Sequence, residues 1–198
     1  EDGGKINWDN PDEVFNIKAP DDFDVNRLER LEEKITAAKN LYTNKKDETW
    51  TWIVIGNMYE FAHDYDRAIL AYQRTLSINS SEMISLTNLG YIYEHQKNDF
   101  DKAEEYYRKA IAIYAQVPDN YLNLTRLYEY KMSRPYDAEN VYMNGLKNTG
   151  NNAELLVNLI NFYQRQKKDD KVGEYAKMLL EANPDNELYK RDFSSLIK

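Results

Sequence analysis

Cysteine is absent from the 198-residue chain, and histidine occurs only twice, at His63 and His95. The lack of cysteine excludes disulfides, thiolate metal sites and cysteine nucleophiles. A metal site built on two histidines would need a third converging ligand, so we expect these two side chains to be solvated or packed. Phosphate-binding glycine loops, nucleophile elbows and calcium-loop spacings are missing as well. We therefore expect no catalytic residue, no cofactor and no metal, and predict that the protein is not an enzyme.

Long apolar runs and a basic charge balance are also missing. No stretch of 18 apolar residues occurs, so we expect a soluble domain without direct membrane insertion. The chain carries 34 acidic and 26 basic residues, a net charge of -8, which argues against nucleic acid as a partner. It begins with Glu1 rather than Met and shows no signal peptide. This start favours an extracytoplasmic or membrane-tethered domain whose leader or tether was removed, and leaves the compartment open.

Tyrosine, in contrast, is abundant, with 17 residues against 6 phenylalanines, and its spacing is regular. Tyr59, Tyr93, Tyr128 and Tyr163 follow one another at intervals of 34, 35 and 35 residues. Alanine or valine repeats with the same period at 68, 103, 138 and 172, as does leucine or isoleucine at 55, 89, 124 and 159. A shared period in independent positions indicates an array of similar structural units.

Within one period, Trp52, Ile55, Gly56 and Tyr59 fall at i, i+3, i+4 and i+7, which is one face of a helix. With Ala68 and Tyr72 after it, this order resembles the tetratricopeptide repeat (TPR). The resemblance covers residues 49–184 as four copies, 49–82, 83–117, 118–152 and 153–184. It implies an all-α superhelix, or α-solenoid, of helix pairs. The step from tyrosine to alanine is one residue longer in copies two and three, so we expect an extra residue in their turns, near Lys97–Asp99 and Met132–Arg134.

The two ends depart from the repeat. Asp24 can cap a helix that runs to about Tyr42, which predicts an N-terminal packing helix within residues 24–48. Residues 185–198 predict a C-terminal capping helix. Residues 1–23 contain two prolines and isolated apolar residues, which predicts an extended segment rather than a helix. This segment is interpreted either as a tail lying along the scaffold or as a built-in ligand that uses Trp8, Phe15 or Ile17.

The resemblance implies that the first helix of each pair lines a concave groove that binds a peptide or partner protein. Asparagine recurs at the groove positions, and its amide can pair with a peptide backbone without reading side chains. An Asn-rich composition is the alternative explanation. Glutamates in register would give the groove a negative potential, which favours a basic or neutral partner. The predicted binding residues are Asn57, Asn88, Tyr91, Asn123, Arg126, Asn158, Asn161, Glu60, Glu94 and Glu129.

The fold class thus predicts a non-enzymatic interaction scaffold, acting as a monomer or small homo-oligomer. Two alternatives stay open: a subunit that self-assembles through its repeats and tail, and an accessory or regulatory domain excised from a larger enzyme or membrane protein. Partner identity lies beyond what these patterns indicate.

Overall fold

The computed structural model describes residues 6–46 and 48–197, which form eleven α-helices and no strand. The helices are α1 (Pro11–Val14), α2 (Val25–Lys45), α3 (Thr49–Phe61), α4 (Tyr65–Ile78), α5 (Met83–His95), α6 (Phe100–Ile113), α7 (Pro118–Arg126), α8 (Pro135–Thr149), α9 (Ala153–Arg165), α10 (Asp169–Ala182) and α11 (Glu187–Phe193). A π-helical turn at Leu127–Lys131 continues α7, and a 3-10 turn at Ser194–Leu196 follows α11. Each of the four sequence copies contains one pair of helices.

The chain divides into two compact units between Tyr106 and Tyr107. In the first unit, α2 packs on α3, α3 on α4 and α4 on α5. In the second unit, α7 packs on α8, α8 on α9 and α9 on α10. Residues 1–5, Asp47 and Lys198, which the predicted terminal segments include, lie outside the described residues.

The periodic residues form the interiors of both units. Ala68, Ala103 and Ala138 are fully buried. Gly56 allows a close approach, because a Cβ atom on it would lie 2.5 Å from a ring carbon of Tyr72. The tyrosines are packed between helices, with Tyr59 and Tyr72 fully buried. Most of the tyrosines are therefore core residues.

A residue with positive φ lies two positions before the second helix of each pair, at His63, Asn98, Ser133 and Lys167. In copies one and four, the carbonyl of the repeat tyrosine accepts a hydrogen bond from the backbone N–H five residues later. Asp64 donates to Tyr59 in copy one, and Lys168 donates to Tyr163 in copy four. In copies two and three the corresponding N–H is six residues on, Asp99 to Tyr93 and Arg134 to Tyr128.

The additional residue is accommodated differently in the two longer copies. In copy two it lies in the connection Gln96–Asp99, as expected. In copy three the expectation is wrong, because the connection Met132–Arg134 is as short as Ala62–Asp64 in copy one. The extra residue is taken up within the helix, whose last turn widens to π geometry at Leu127–Lys131.

The ends differ from the sequence expectations in detail. Asp24 caps α2 by accepting a hydrogen bond from the Arg27 N–H at 2.8 Å. One helical turn, α1, lies in the segment expected to be extended, because Asn10 caps it and Pro11 starts it. At the other end, α11 and its 3-10 turn are shorter than one helix over the predicted range, and none of their residues is buried.

Candidate functional site

The first unit carries a cavity of about 350 Å³ that is lined by residues of α2, α3 and α5. It is lined by Lys34, Asn57, Glu60, Phe61 and Asn88. The Lys34 ammonium lies 5.1 Å from the centre of the Phe61 ring. Three of the ten predicted binding residues, Asn57, Glu60 and Asn88, therefore lie together at one surface.

The Tyr72 hydroxyl, on α4, forms hydrogen bonds with all three of these polar side chains. It donates toward Asn57 Oδ1 at 2.6 Å and Glu60 Oε2 at 2.9 Å, and it accepts from Asn88 Nδ2 at 2.9 Å. Burial raises the pKa of the phenol well above its usual range. Burial also raises the pKa of the Glu60 carboxyl, while the Tyr72 hydrogen bond and the Lys34 charge act in the opposite direction.

The amide of Asn88 is therefore not fully available to a ligand, as we had expected it to be. Its NH₂ group joins α5 to Tyr72 on α4 and lies 3.3 Å from Asn57 Oδ1 on α3. The hydroxyl that engages it comes from a residue sixteen positions away. Its Nδ2 atom holds three helices together, and only the Oδ1 atom lacks a partner within the described residues.

Glu94 and Tyr91 differ in exposure although both were expected in the groove. Tyr91 is 46% exposed, and its ring lies 4.4 Å from that of His95. Only 6% of the Glu94 side chain is exposed, with His95 Nε2 3.6 Å from its carboxylate. The expectation that Glu94 presents its charge to a ligand is wrong, because packing around the end of α5 buries the side chain.

The second unit carries a cavity of about 320 Å³ between α7 and α9. It is lined by Asp119, Leu122, Asn123, Arg126, Glu154 and Asn158. Asn123 Oδ1 accepts a hydrogen bond from Arg126, and Asn158 Nδ2 donates to the Glu154 carbonyl at 2.9 Å. Within the part of the chain that the structure describes, Asn123 Nδ2 and Asn158 Oδ1 have no partner, so this cavity presents one amide donor and one amide acceptor.

Two lining residues of this cavity, Asp119 and Glu154, were missed in the sequence. Both are exposed, and each lies in the first turn of its helix. They are 35 residues apart, so they occupy the same position in successive repeats. That spacing was a signal that could have identified them.

Glu129 is not the exposed acid that its position suggested. Its carboxylate accepts hydrogen bonds from Tyr142 at 3.0 Å and from Arg165 at 2.6 Å, and only 6% of its side chain is exposed. The guanidinium of Arg165 therefore compensates its charge. Asn161, the remaining predicted site residue, is half-buried on α9.

The described residues contain no group of three or more potential ligands that could hold a metal ion. Among the helices of residues 6–46 and 48–197, none has the length and hydrophobicity needed to cross a lipid bilayer.

Comparisons with known proteins identify the fold. A family model described as the tetratricopeptide repeat matches residues 85–117. No curated protein matches the sequence.

Solved structures match over most of the chain. YrrB, described as a TPR protein with an unusual peptide-binding site, is 16% identical, with a TM-score of 0.57 and 81% of each chain covered. MamA is 18% identical, with a TM-score of 0.61, and the match covers 80% of this chain and 94% of MamA. MamA 41-end from Desulfovibrio magneticus RS-1 is 13% identical, with a TM-score of 0.61 and 82% and 92% covered. The chain thus contains a tetratricopeptide repeat at residues 85–117 and has the all-α tetratricopeptide-repeat fold that its sequence pattern predicted.

Proposed function

We propose that the protein is a non-enzymatic interaction scaffold that binds an extended peptide segment of a partner protein on the inner faces of its first helices. The observation that carries this proposal is the placement of asparagines from successive repeats in one cavity. In the second unit, Asn123 and Asn158 line the same cavity of about 320 Å³. The likeness to YrrB, which is described as having a peptide-binding site, is consistent with it.

The chemistry of this cavity suits a peptide backbone. Asn123 offers an N–H donor, and Asn158 offers a carbonyl acceptor, because their other amide atoms are engaged within the protein. An extended residue presents one C=O and one N–H, so the two amides can pair with backbone groups whatever the side chain is. Leu122 adds an apolar contact to the lining.

The charge preference for a basic or neutral partner rests on residues other than those first considered. Glu94 and Glu129 are largely buried, and Arg165 compensates Glu129. Asp119 and Glu154 instead place two exposed carboxylates at the cavity of the second unit. We propose that they favour peptides carrying lysine or arginine, with an affinity that salt weakens.

A peptide screen followed by calorimetric titration of the best binder tests the proposal. Replacing Asn123 or Asn158 with Ala is expected to weaken binding about threefold to tenfold, since one net hydrogen bond contributes about 0.5–1.5 kcal/mol. Asn140→Ala is the matched control, because Asn140 is exposed on α8, away from this cavity. Equal affinity in all three variants would contradict the asparagine site.

The charge preference has its own test. Asp119→Asn and Glu154→Gln keep the size of the side chains and remove their charges. Both variants are expected to bind a basic peptide more weakly than the wild type at low salt and to approach it at high salt. Selection of strongly acidic peptides in the screen would show that the charge assignment is wrong while leaving the scaffold function standing.

A further inference from the structure

Residues 7–17, here called the docked segment, are held on the first unit through their backbone. Three long-range hydrogen bonds run from side chains of α2, α3 and α4 to carbonyl oxygens of the segment. They join Tyr42 to Trp8 at 2.7 Å, Tyr59 to Val14 at 2.6 Å and Arg67 to Asn16 at 2.7 Å. Because the acceptors are main-chain atoms, these contacts depend on the backbone path of the segment, which includes the helical turn α1, and not on particular side chains.

Three side chains of the docked segment add further contacts with the first unit. Val14 is fully buried. The Trp8 ring meets Trp52 edge-on with centroids 5.2 Å apart, and Phe15 meets Tyr42 in the same way at 5.5 Å. An aromatic residue therefore precedes the buried β-branched residue by six positions. These contacts supply specificity beyond the backbone bonds.

In the second unit, the tyrosines at the repeat position of Tyr59 are hydrogen-bonded to helical residues of that same unit. The Tyr163 hydroxyl donates to Glu139 on α8 at 2.8 Å, and the Tyr128 hydroxyl accepts from Arg108 on α6 at 2.6 Å. There the partner belongs to the second helix of the preceding repeat. At Tyr59 the partner is a carbonyl of the docked segment. The main chain of this segment therefore occupies the hydrogen-bonding position that a helical side chain occupies at Tyr128 and Tyr163.

The fit between the docked segment and α2 is incomplete. A cavity of about 230 Å³ remains between them, lined by Pro11, Asp12, Phe15, Lys39, Tyr42 and Thr43. Val14 is the one buried side chain within residues 7–17. In comparison, seven residues of α3 are buried, so the docked segment buries much less of its surface than a helix of the repeat core does.

We infer that the surface formed by Tyr42, Trp52, Tyr59 and Arg67 is a second peptide-binding site, which the chain fills with its own residues 7–17. Its partner is a protein segment that can form the same single helical turn as α1 and that carries an aromatic residue six positions before a buried β-branched residue. Such a segment binds by displacing the docked one. The described contacts of Trp8 and Phe15 are with this surface and not with the asparagine cavities, so the built-in ligand serves a site of its own.

A competition experiment on the full chain tests this inference. The probe is a fluorescent peptide with the sequence of residues 6–17, followed by anisotropy. Val14→Asp in the protein places a charge at a fully buried position and is expected to release the docked segment. This variant should bind the probe about tenfold or more tightly than the wild type, whose own segment competes at a millimolar effective concentration.

Three controls define the site. A probe that itself carries Val14→Asp should not bind. Adding Tyr59→Phe to the released protein should weaken binding of the normal probe about twofold to tenfold, through loss of one hydrogen bond. Asn123→Ala should leave probe binding unchanged, which separates this site from the proposed asparagine site.

Equal probe binding by the wild type and by a Val14→Asp protein with native helical content would overturn the inference. Loss of probe binding in Asn123→Ala would overturn it as well, because the probe would then occupy the other site. If Val14→Asp does not fold, the same comparison is made with the double variant Trp8→Ala and Phe15→Ala, whose side chains are only half-buried.

Discussion

Replacing Tyr72 with Phe removes one hydroxyl from the centre of the polar cluster in the first unit. The substitution keeps the ring, which is fully buried, so it creates almost no cavity. The hydroxyl accepts from Asn88 Nδ2 and has one proton to donate, to Asn57 Oδ1 at 2.6 Å or to Glu60 Oε2 at 2.9 Å. The variant therefore loses one donated and one accepted hydrogen bond.

The expected loss of unfolding free energy is about 1–3 kcal/mol, the cost of leaving a buried polar group without its partner. For a protein of this size, about 1 kcal/mol corresponds to a shift in Tm of roughly 2–4 °C. Tyr72→Phe should thus lower Tm by roughly 2–12 °C. Part of the loss is recovered because Asn88 Nδ2 keeps its contact with Asn57 Oδ1 at 3.3 Å.

Tyr142→Phe is the matched control. Tyr142 lies at the corresponding repeat position and donates to Glu129, but Glu129 keeps the Arg165 guanidinium at 2.6 Å. This variant should lose only about 0.5–1.5 kcal/mol, the net value of one hydrogen bond. Urea denaturation followed by circular dichroism measures both. A Tyr72→Phe protein as stable as the wild type, or no less stable than Tyr142→Phe, would refute the argument that Tyr72 organises this cluster.

Three further predictions concern single substitutions. Ala103→Leu should cost about 1–3 kcal/mol by overpacking a fully buried position, and an unchanged thermal transition would contradict the repeat register. Lys167→Gly should stabilise the protein by about 0.5–1 kcal/mol, because Lys167 has a φ of 56° that glycine adopts without strain; a lower urea midpoint would contradict this. Glu60→Gln should raise stability at pH 7. Since burial raises the pKa of Glu60 when folded, its ionised form opposes folding above that pKa, and the wild type regains stability as pH falls toward the unfolded value. The advantage of the variant should accordingly shrink between pH 7 and pH 4, and an advantage independent of pH would count against the assignment.

The sequence by itself determined the repeat architecture. Helical spacing in each first helix and a shared period of 34 or 35 residues place tyrosine, alanine and glycine on the faces that pack together. These residues act locally or between neighbouring helices, so their pattern is visible in one dimension. The cap at Asp24 and the helix start at Pro135 follow from similarly local chemistry.

Only the tertiary structure decided which polar side chains remain available to a ligand. Asn88 and Glu129 occupy the expected repeat positions, but Tyr72 and Arg165 engage them from sixteen and 36 residues away. A repeat pattern specifies the helix face of a residue and not its hydrogen-bond partner, because the partner lies on another helix. The docking of residues 7–17 depends in the same way on packing between distant segments. The repeat spacing indicated an extra residue in copy three, but it did not indicate that the π turn at Leu127–Lys131 would accommodate this residue.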